Sequence, residues 1–388
     1  MTFDGQQAVT PLPGPATAER VAAHPVAGVS RAALVIVLAW RLGIAVWGAL
    51  AHRFASPLPR AHALTSQGWP QSFLSDLVDT GVRNDAFWYA RIAQHGYFYS
   101  TTRPSSIGFY PLYPVAIHVV NLIVGNVYVA GEMVSILALV GAVMVFDLWL
   151  RDHALADRRT RSGILLLLFP FAMFYSFMYS ESLYLFLVLL CFVAAERRWV
   201  ATATVCAFLL VLTRPTGLVI VPCLILVAGW RNWRVWLIPA TGAVAAIVAF
   251  SIYQWVTFGT PFAYVNAKAA PPWHATAAQA LADLTLHGRP GIPPWFLAFN
   301  LAIGLAFAAT VPFVWRRLGP GYAAFVGLSV LVSAYGTLTG MNRYVIVLFP
   351  VFALAASLRP RMLAIILPLM LITQALFVTL WVQGIGIF

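Results

Sequence analysis

Residues 359–383 read Arg359-Pro360-Arg361 followed by MLAIILPLMLITQALFVTLWVQ, and this stretch decides the fold class. Its last 22 residues carry no charge. At about 1.5 Å per residue, a helix of that length matches the ~30 Å hydrocarbon core of a bilayer. The two arginines before it form a basic end of the kind that marks the cytoplasmic side of a span. The same pattern recurs through the chain. Apolar runs lie at about 33–51, 128–150, 163–179, 182–195, 199–213, 217–229, 234–257, 293–315, 321–339 and 344–358.

Composition agrees. The chain has 388 residues, 61% of them hydrophobic and 9% charged. A soluble domain carries about 25% charged residues, and its surface could not hide this much apolar area. In a bilayer each helix satisfies its own backbone hydrogen bonds. The runs are too long and too uniformly apolar for barrel strands, which alternate. The sequence therefore predicts an all-α polytopic membrane protein embedded in the lipid bilayer.

The formal net charge is +12, almost all of it arginine, and Lys268 is the sole lysine. Nucleic-acid binding needs basic charge gathered on one soluble face. Here it sits in short clusters between apolar runs, so no nucleic-acid partner is expected. Cys191, Cys206 and Cys223 all lie in apolar runs and read as small buried hydrophobes. Residues 1–30, rich in Pro, Ala, Gly and Thr, read as a disordered cytoplasmic tail preceding a single membrane domain over 31–388.

Arginine clusters set the sidedness. They are Arg151 to Arg161, Arg197–Arg198, Arg231–Arg234, Arg316–Arg317 and Arg359–Arg361, so every second connection from residue 151 onward is basic. With those connections cytoplasmic, four others face outward: Tyr179–Glu181, Arg214–Gly217, the loop 258–292, and Gly340–Arg343. Parity then holds if the short segment 109–124 turns back as a re-entrant or interfacial helix. The outcome is about eleven spans with a long first external loop, about 52–127. That loop contains an amphipathic helix over about 73–95.

Unusual polar residues collect on the external side. On a helix starting near Asp85, i, i+3, i+4 spacing puts Asp85, Trp88 and Tyr89 on one face, continued by Ile92. A functional carboxylate and a solvated loop helix with an aromatic belt are both open readings. Glu181 sits where it could cap the helix that follows. Arg214 and Arg343 stand at helix ends against the positive-inside bias and need an anionic partner: a protein carboxylate, a lipid headgroup or a substrate phosphate. His95 could serve as a second base or be an interfacial histidine. Tyr344 adjoins Arg343. No metal motif stands out, His274 and His287 have no carboxylate cluster beside them, and no cofactor is indicated, a divalent cation being left open.

Four stretches together resemble the family of the second GPI mannosyltransferase (PIG-V-like), within the GT-C class of membrane glycosyltransferases. They are DAFWYARIAQHGY at 85–97, FYPLYP at 109–114, FPFAMFYSFMYSES at 169–182 followed by LTRPTG at 212–217, and MNRYVIVLFP at 341–350. The resemblance implies a GT-C-like fold, a polyprenyl-phosphate sugar donor, usually of mannose, and catalysis at the outer membrane surface with inversion. It also implies an acidic base in the first external loop, and Asp85 is the matching position. Asn84 departs from the aromatic residue often found before that Asp.

The residues suit this chemistry. A lipid phosphate leaves as a stable anion, so one carboxylate base suffices, unlike the carboxylate pair of glycoside hydrolysis. Arginine would stabilise charge on the departing phosphate. The expected roles are Asp85 as base and Arg343, then Arg214, as phosphate ligands. Glu181, Trp88, Tyr89, His95 and Tyr344 would orient substrates. The acceptor, a glycolipid, glycan or protein, is left open. A lipid-linked sugar carrier and a non-catalytic subunit of a glycosylation complex are the competing readings. The absence of a clear internal repeat and the one-sided polar positions favour surface chemistry.

Overall fold

The computed structural model describes residues 31–55, 72–269 and 293–384, with positions 279, 282, 283 and 285. The tail 1–30, most of the loop after residue 269, and His274 and His287 lie outside the described residues. The regular structure among the described residues is helical, with no strand. The expected all-α architecture is therefore what the chain adopts.

The first half runs α1 (Arg31–Ala55), α2 (Phe73–Asp79), α3 (Asp85–His95), α4 (Leu112–Val124), α5 (Val127–Asp152), α6 (Arg159–Leu168), α7 (Glu181–Glu196) and α8 (Val200–Thr213). The second half runs α9 (Ile220–Ala228), α10 (Trp233–Phe258), α11 (Ala263–Ala269), α12 (Pro294–Ala308), α13 (Val311–Leu318), α14 (Pro320–Thr337), α15 (Met341–Tyr344), α16 (Phe349–Ala355) and α17 (Pro360–Val382).

Five helical segments are long and apolar enough to cross a membrane: Ala33–Phe54, Val127–Asp152, Trp233–Phe258, Pro294–Leu318 and Pro360–Val382. A sixth is formed if Leu338–Val347 and Phe349–Ala355, bent by 63°, count as one. Length and composition thus give five or six spans, short of the eleven expected, because the other apolar runs fold into shorter or interrupted helices. The interruptions have local causes. The run 163–179 stops as α6 at Leu168, since Phe169 takes the extended backbone (ψ 135°) that a following proline favours. Arg214, before Pro215, is likewise extended (φ −156°, ψ 145°) and separates α8 from a 3-10 turn at Pro215–Val219. α4 has 13 residues. Its rise of about 20 Å falls short of a ~30 Å core, which suits a helix that turns back.

The expected single helix over 73–95 is two. α2 begins in a capping box between Ser72 and Ser75. The chain then turns through Gly81, where a β-carbon would lie 2.2 Å from Glu132 Oε1 and 3.2 Å from Phe177 Cα. It restarts at Asn84, whose φ of +50° no helix accepts.

Polar ties between helices hold the frame. Arg41 of α1 pairs with Glu132 of α5 at 2.6 Å. Gln374 of α17 donates through Nε2 to the Leu167 and Phe169 carbonyls at 2.9 and 2.8 Å. It thereby satisfies backbone acceptors freed where α6 ends. Trp381 Nε1 donates to the Thr80 carbonyl at 2.9 Å, fixing the first loop onto the last helix.

Candidate active site

The breaks in the helices place the site. Met178 N–H donates to the Gly81 carbonyl at 3.2 Å, and the Tyr179 hydroxyl to the Arg83 carbonyl at 3.1 Å. The first loop is thereby stitched to the irregular segment between α6 and α7. Ser182 Oγ donates to the Tyr175 carbonyl at 2.6 Å, and the Tyr175 hydroxyl donates to the Ile346 carbonyl. The 341–350 segment thus docks on the same turn.

Four ionic side chains meet there. Arg343 Nη1 donates to Asp85 Oδ2 at 2.9 Å, and its Nε to Glu181 Oε1 at 3.0 Å. Arg214 Nη2 lies 2.6 Å from the same Glu181 oxygen, while its Nε donates to Ser180 Oγ at 2.9 Å. The Nη2 contact is close but too poorly angled for a hydrogen bond, and Glu181 Oε2 has none either. The chain of charges is therefore Asp85, Arg343, Glu181, Arg214. Exposure grades along it: the side chain of Asp85 is 30% exposed, that of Glu181 0%. Asp85 is the most exposed of the four side chains.

Aromatic rings wall the cluster. The Arg343 guanidinium lies 4.6 Å from the Tyr179 centroid and 5.1 Å from Phe174. Arg214 sits 5.2 Å from Tyr344. Such contacts favour a cation held away from bulk water. Burial alone would push the Glu181 carboxyl up. The charges of Arg214 and Arg343, with the hydrogen bond from Arg343, outweigh burial and hold it below its ordinary value of 4.5. Burial pushes the Tyr89 hydroxyl well above the ordinary phenol range, so it stays protonated, 3.3 Å from Ser180 Oγ.

The expected residues are not all together. Asp85, Tyr89, Glu181, Arg214, Arg343 and Tyr344 converge. Glu181 spends its carboxylate on the two arginines, and the partner that both arginines needed is, in this structure, a protein carboxylate. Trp88 packs between Phe98 and Phe109, with centroids 6.1 and 5.9 Å away and ring planes inclined by 28° and 22°. His95 is exposed at the far end of α3, about 15 Å along the helix from Asp85. Two contributors escaped the sequence reading. Ser180 bridges Tyr89 and Arg214, and nothing in its local sequence signals that. Lys268 lies with its Nζ 5.3 Å from the Phe109 centroid, close enough for Asp85 and Arg343 to act on its charge. Its rarity as the one lysine among arginines was the available signal.

Among curated proteins no sequence matches the chain. Among solved structures it is similar to the Archaeoglobus fulgidus oligosaccharyltransferase tethered with an acceptor peptide, at 13% identity and a TM-score of 0.44, over 89% of this chain and 55% of that one. It is also similar to the archaeal oligosaccharyltransferase AglB from Archaeoglobus fulgidus in complex with an inhibitory peptide and a dolichol-phosphate. There the identity is 12% and the TM-score 0.46, over 90% of this chain and 56% of that one. The chain spans about half the length of these proteins. Residues 42–270 match the model of the mannosyltransferase (PIG-V) family, a stretch that covers more than half of the chain and holds Asp85, Glu181, Arg214 and Lys268. The chain belongs to the mannosyltransferase (PIG-V) family.

Proposed function

We propose that the chain is a membrane glycosyltransferase of GT-C type. It transfers a sugar, mannose by family, from a polyprenyl-phosphate donor to an acceptor hydroxyl on the extracytoplasmic side. The observation that carries this reading is the pairing of a partly exposed carboxylate with a largely buried, counter-charged arginine. Arg343 holds Asp85 by Oδ2, while Oδ1 makes no hydrogen bond among the described residues and is available to an acceptor.

The acceptor oxygen attacks the anomeric carbon as Asp85 takes its proton. The bond from that carbon to the phosphate oxygen breaks, and its electron pair stays on the phosphate. Attack opposite the leaving group inverts the anomeric configuration. Arg343, and Arg214 behind it, place positive charge beside the phosphate as it leaves. Glu181 keeps both arginines oriented. Tyr89 and Tyr344 line the approach.

The test is transfer from labelled polyprenyl-phosphate-mannose by membranes carrying the full chain. Wild type is expected to label a product, and Asp85→Asn to lose transfer by about 10²–10⁴-fold while binding donor normally. Full transfer by Asp85→Asn would remove Asp85 as the base. Donor binding with no transfer by wild type would favour a carrier or a non-catalytic subunit.

A further inference from the structure

A cleft opens between α1, α5 and α6. Ile36 of α1, Val143, Phe146 and Leu150 of α5, and Ile164 and Leu167 of α6 form its apolar walls. Its polar lining comes from Asp147, Arg159 and Thr160. Asp147 lies about 22 Å along α5 from Glu132, which sits beside Gly81, so the cleft is at the far end of α5 from the candidate active site. Arg159 and Thr160 start α6, and Leu167 lies about 12 Å deeper along it. The cleft therefore has a polar mouth and an apolar depth.

Gly163 also lines it. Glycine weakens a helix relative to alanine. No neighbour requires it here, because an added β-carbon would meet nothing within 4 Å. The cavity volume is about 40 Å³, room for about three water- or methylene-sized groups. Waters between apolar walls would lack the polar partners that each needs, whereas methylenes match those walls.

The mouth offers donors to an anion. Asp147 fixes the Arg159 guanidinium through Nε at 3.2 Å, and Arg159 Nη2 makes no hydrogen bond among the described residues. Ser162 turns its hydroxyl back to the Arg158 carbonyl at 3.0 Å. The exposed Thr160 has no such bond among the described residues, so its hydroxyl is available. Arginine and hydroxyl together suit a phosphate oxygen. The arginines of the 151–161 segment mark this end of the helices as cytoplasmic, and basic pockets between spans on that side favour acidic headgroups.

We propose that this cleft binds an acidic glycerophospholipid of the cytoplasmic leaflet. Arg159 and Thr160 hold its phosphate, and the first methylenes of one acyl chain lie against Gly163. The lipid then ties α1 to α5 and α6.

The test uses the full chain in maltoside detergent, with dioctanoyl phosphatidylglycerol as the probe, read by native mass spectrometry and Tm. Wild type is expected to retain one lipid and to gain Tm with it. Gly163→Leu fills the cleft without a clash. It should weaken binding by about tenfold or more, with no loss of Tm in lipid-free detergent. Arg159→Gln and Thr160→Val should each weaken binding several-fold. Arg161→Gln, which removes a neighbouring charge outside the cleft, should bind within about twofold of wild type. Wild-type affinity in Gly163→Leu would overturn the assignment. So would a loss in Arg161→Gln equal to that in Arg159→Gln, since the attraction would then be diffuse. Displacement of the lipid by an equal concentration of glycerol 3-phosphate would also overturn it, because the cleft would add nothing to the headgroup. Equal affinity for dioctanoyl phosphatidylcholine would overturn the acidic headgroup. All of these outcomes leave the proposed transfer reaction intact.

Discussion

Arg343 Nη1 and Asp85 Oδ2 meet at 2.9 Å across 258 positions of sequence. The same guanidinium reaches Glu181 through Nε, so one side chain fixes the start of α3 against the α6–α7 connection. Lysine carries its charge on one nitrogen and cannot span both carboxylates in a plane. Arg343→Lys is therefore expected to stay folded and to lower kcat by ~10²-fold, the scale of losing one preorganised electrostatic contact. Donor KM should change far less. Steady-state transfer kinetics separate the two, and a wild-type kcat would refute the clamp.

Glu181 has the opposite profile, a cost in stability. Its side chain is fully buried and serves two arginines. Breaking a buried pair from one side costs about 3–5 kcal/mol, since the remaining charge stays desolvated. Glu181→Gln should lower Tm markedly, and adding Arg214→Gln should recover part of the loss. The pH sign follows from its depressed folded value. The contribution is complete above the ordinary carboxylate value of 4.5 and is lost as pH falls through the lower folded one. Acid denaturation of Glu181→Gln should accordingly be flatter than that of wild type. Equal Tm values for Glu181→Gln and wild type would show that the carboxylate is not needed for stability.

Much of this was legible in the sequence, and the limits were physical. Uncharged runs such as 362–383 announce helices in lipid because hydropathy acts over a whole segment. Arg214 and Arg343 stood out as arginines in connections that the alternation of basic clusters assigns to the opposite side. The breaks at Phe169 and Arg214 follow from the next residue being proline, yet the apolar runs hid them. The ionic chain was only half readable. Spacing within α3 puts Asp85 and Tyr89 on one face, but no local rule says that Arg343 would take Asp85 and Glu181 together. Lys268 was visible as an oddity of composition, and only tertiary packing of α11 gives it a place.

Asn84 sets the direction from which Asp85 enters the site. Its φ of +50° lies where non-glycine residues are uncommon and β-branched ones are strongly disfavoured. Asn84→Gly should leave Tm and kcat close to wild type. Asn84→Val should cost about 1–3 kcal/mol and shift the first turn of α3, lowering kcat in parallel. A valine variant with unchanged Tm and kcat would show that the turn relaxes without moving Asp85.

The titration of Lys268 yields the last prediction. Burial pushes its ammonium down to about 8, against the opposing pull of Asp85 and with Arg343 adding to the fall. Below that pH the side chain is a cation, and above it a neutral amine. A phosphodiester keeps one negative charge throughout. Donor affinity should therefore hold near pH 7 and decline above pH 8, by up to about tenfold per pH unit for one proton lost. Bound phosphate stabilises the ammonium, so the decline in the complex sits at higher pH than in the free protein. In Lys268→Arg the guanidinium stays charged over the whole window, and the decline should vanish. Donor KM measured from about pH 7 to about pH 9.5 in both proteins is the decisive comparison. Parallel curves would assign the pH dependence to another group.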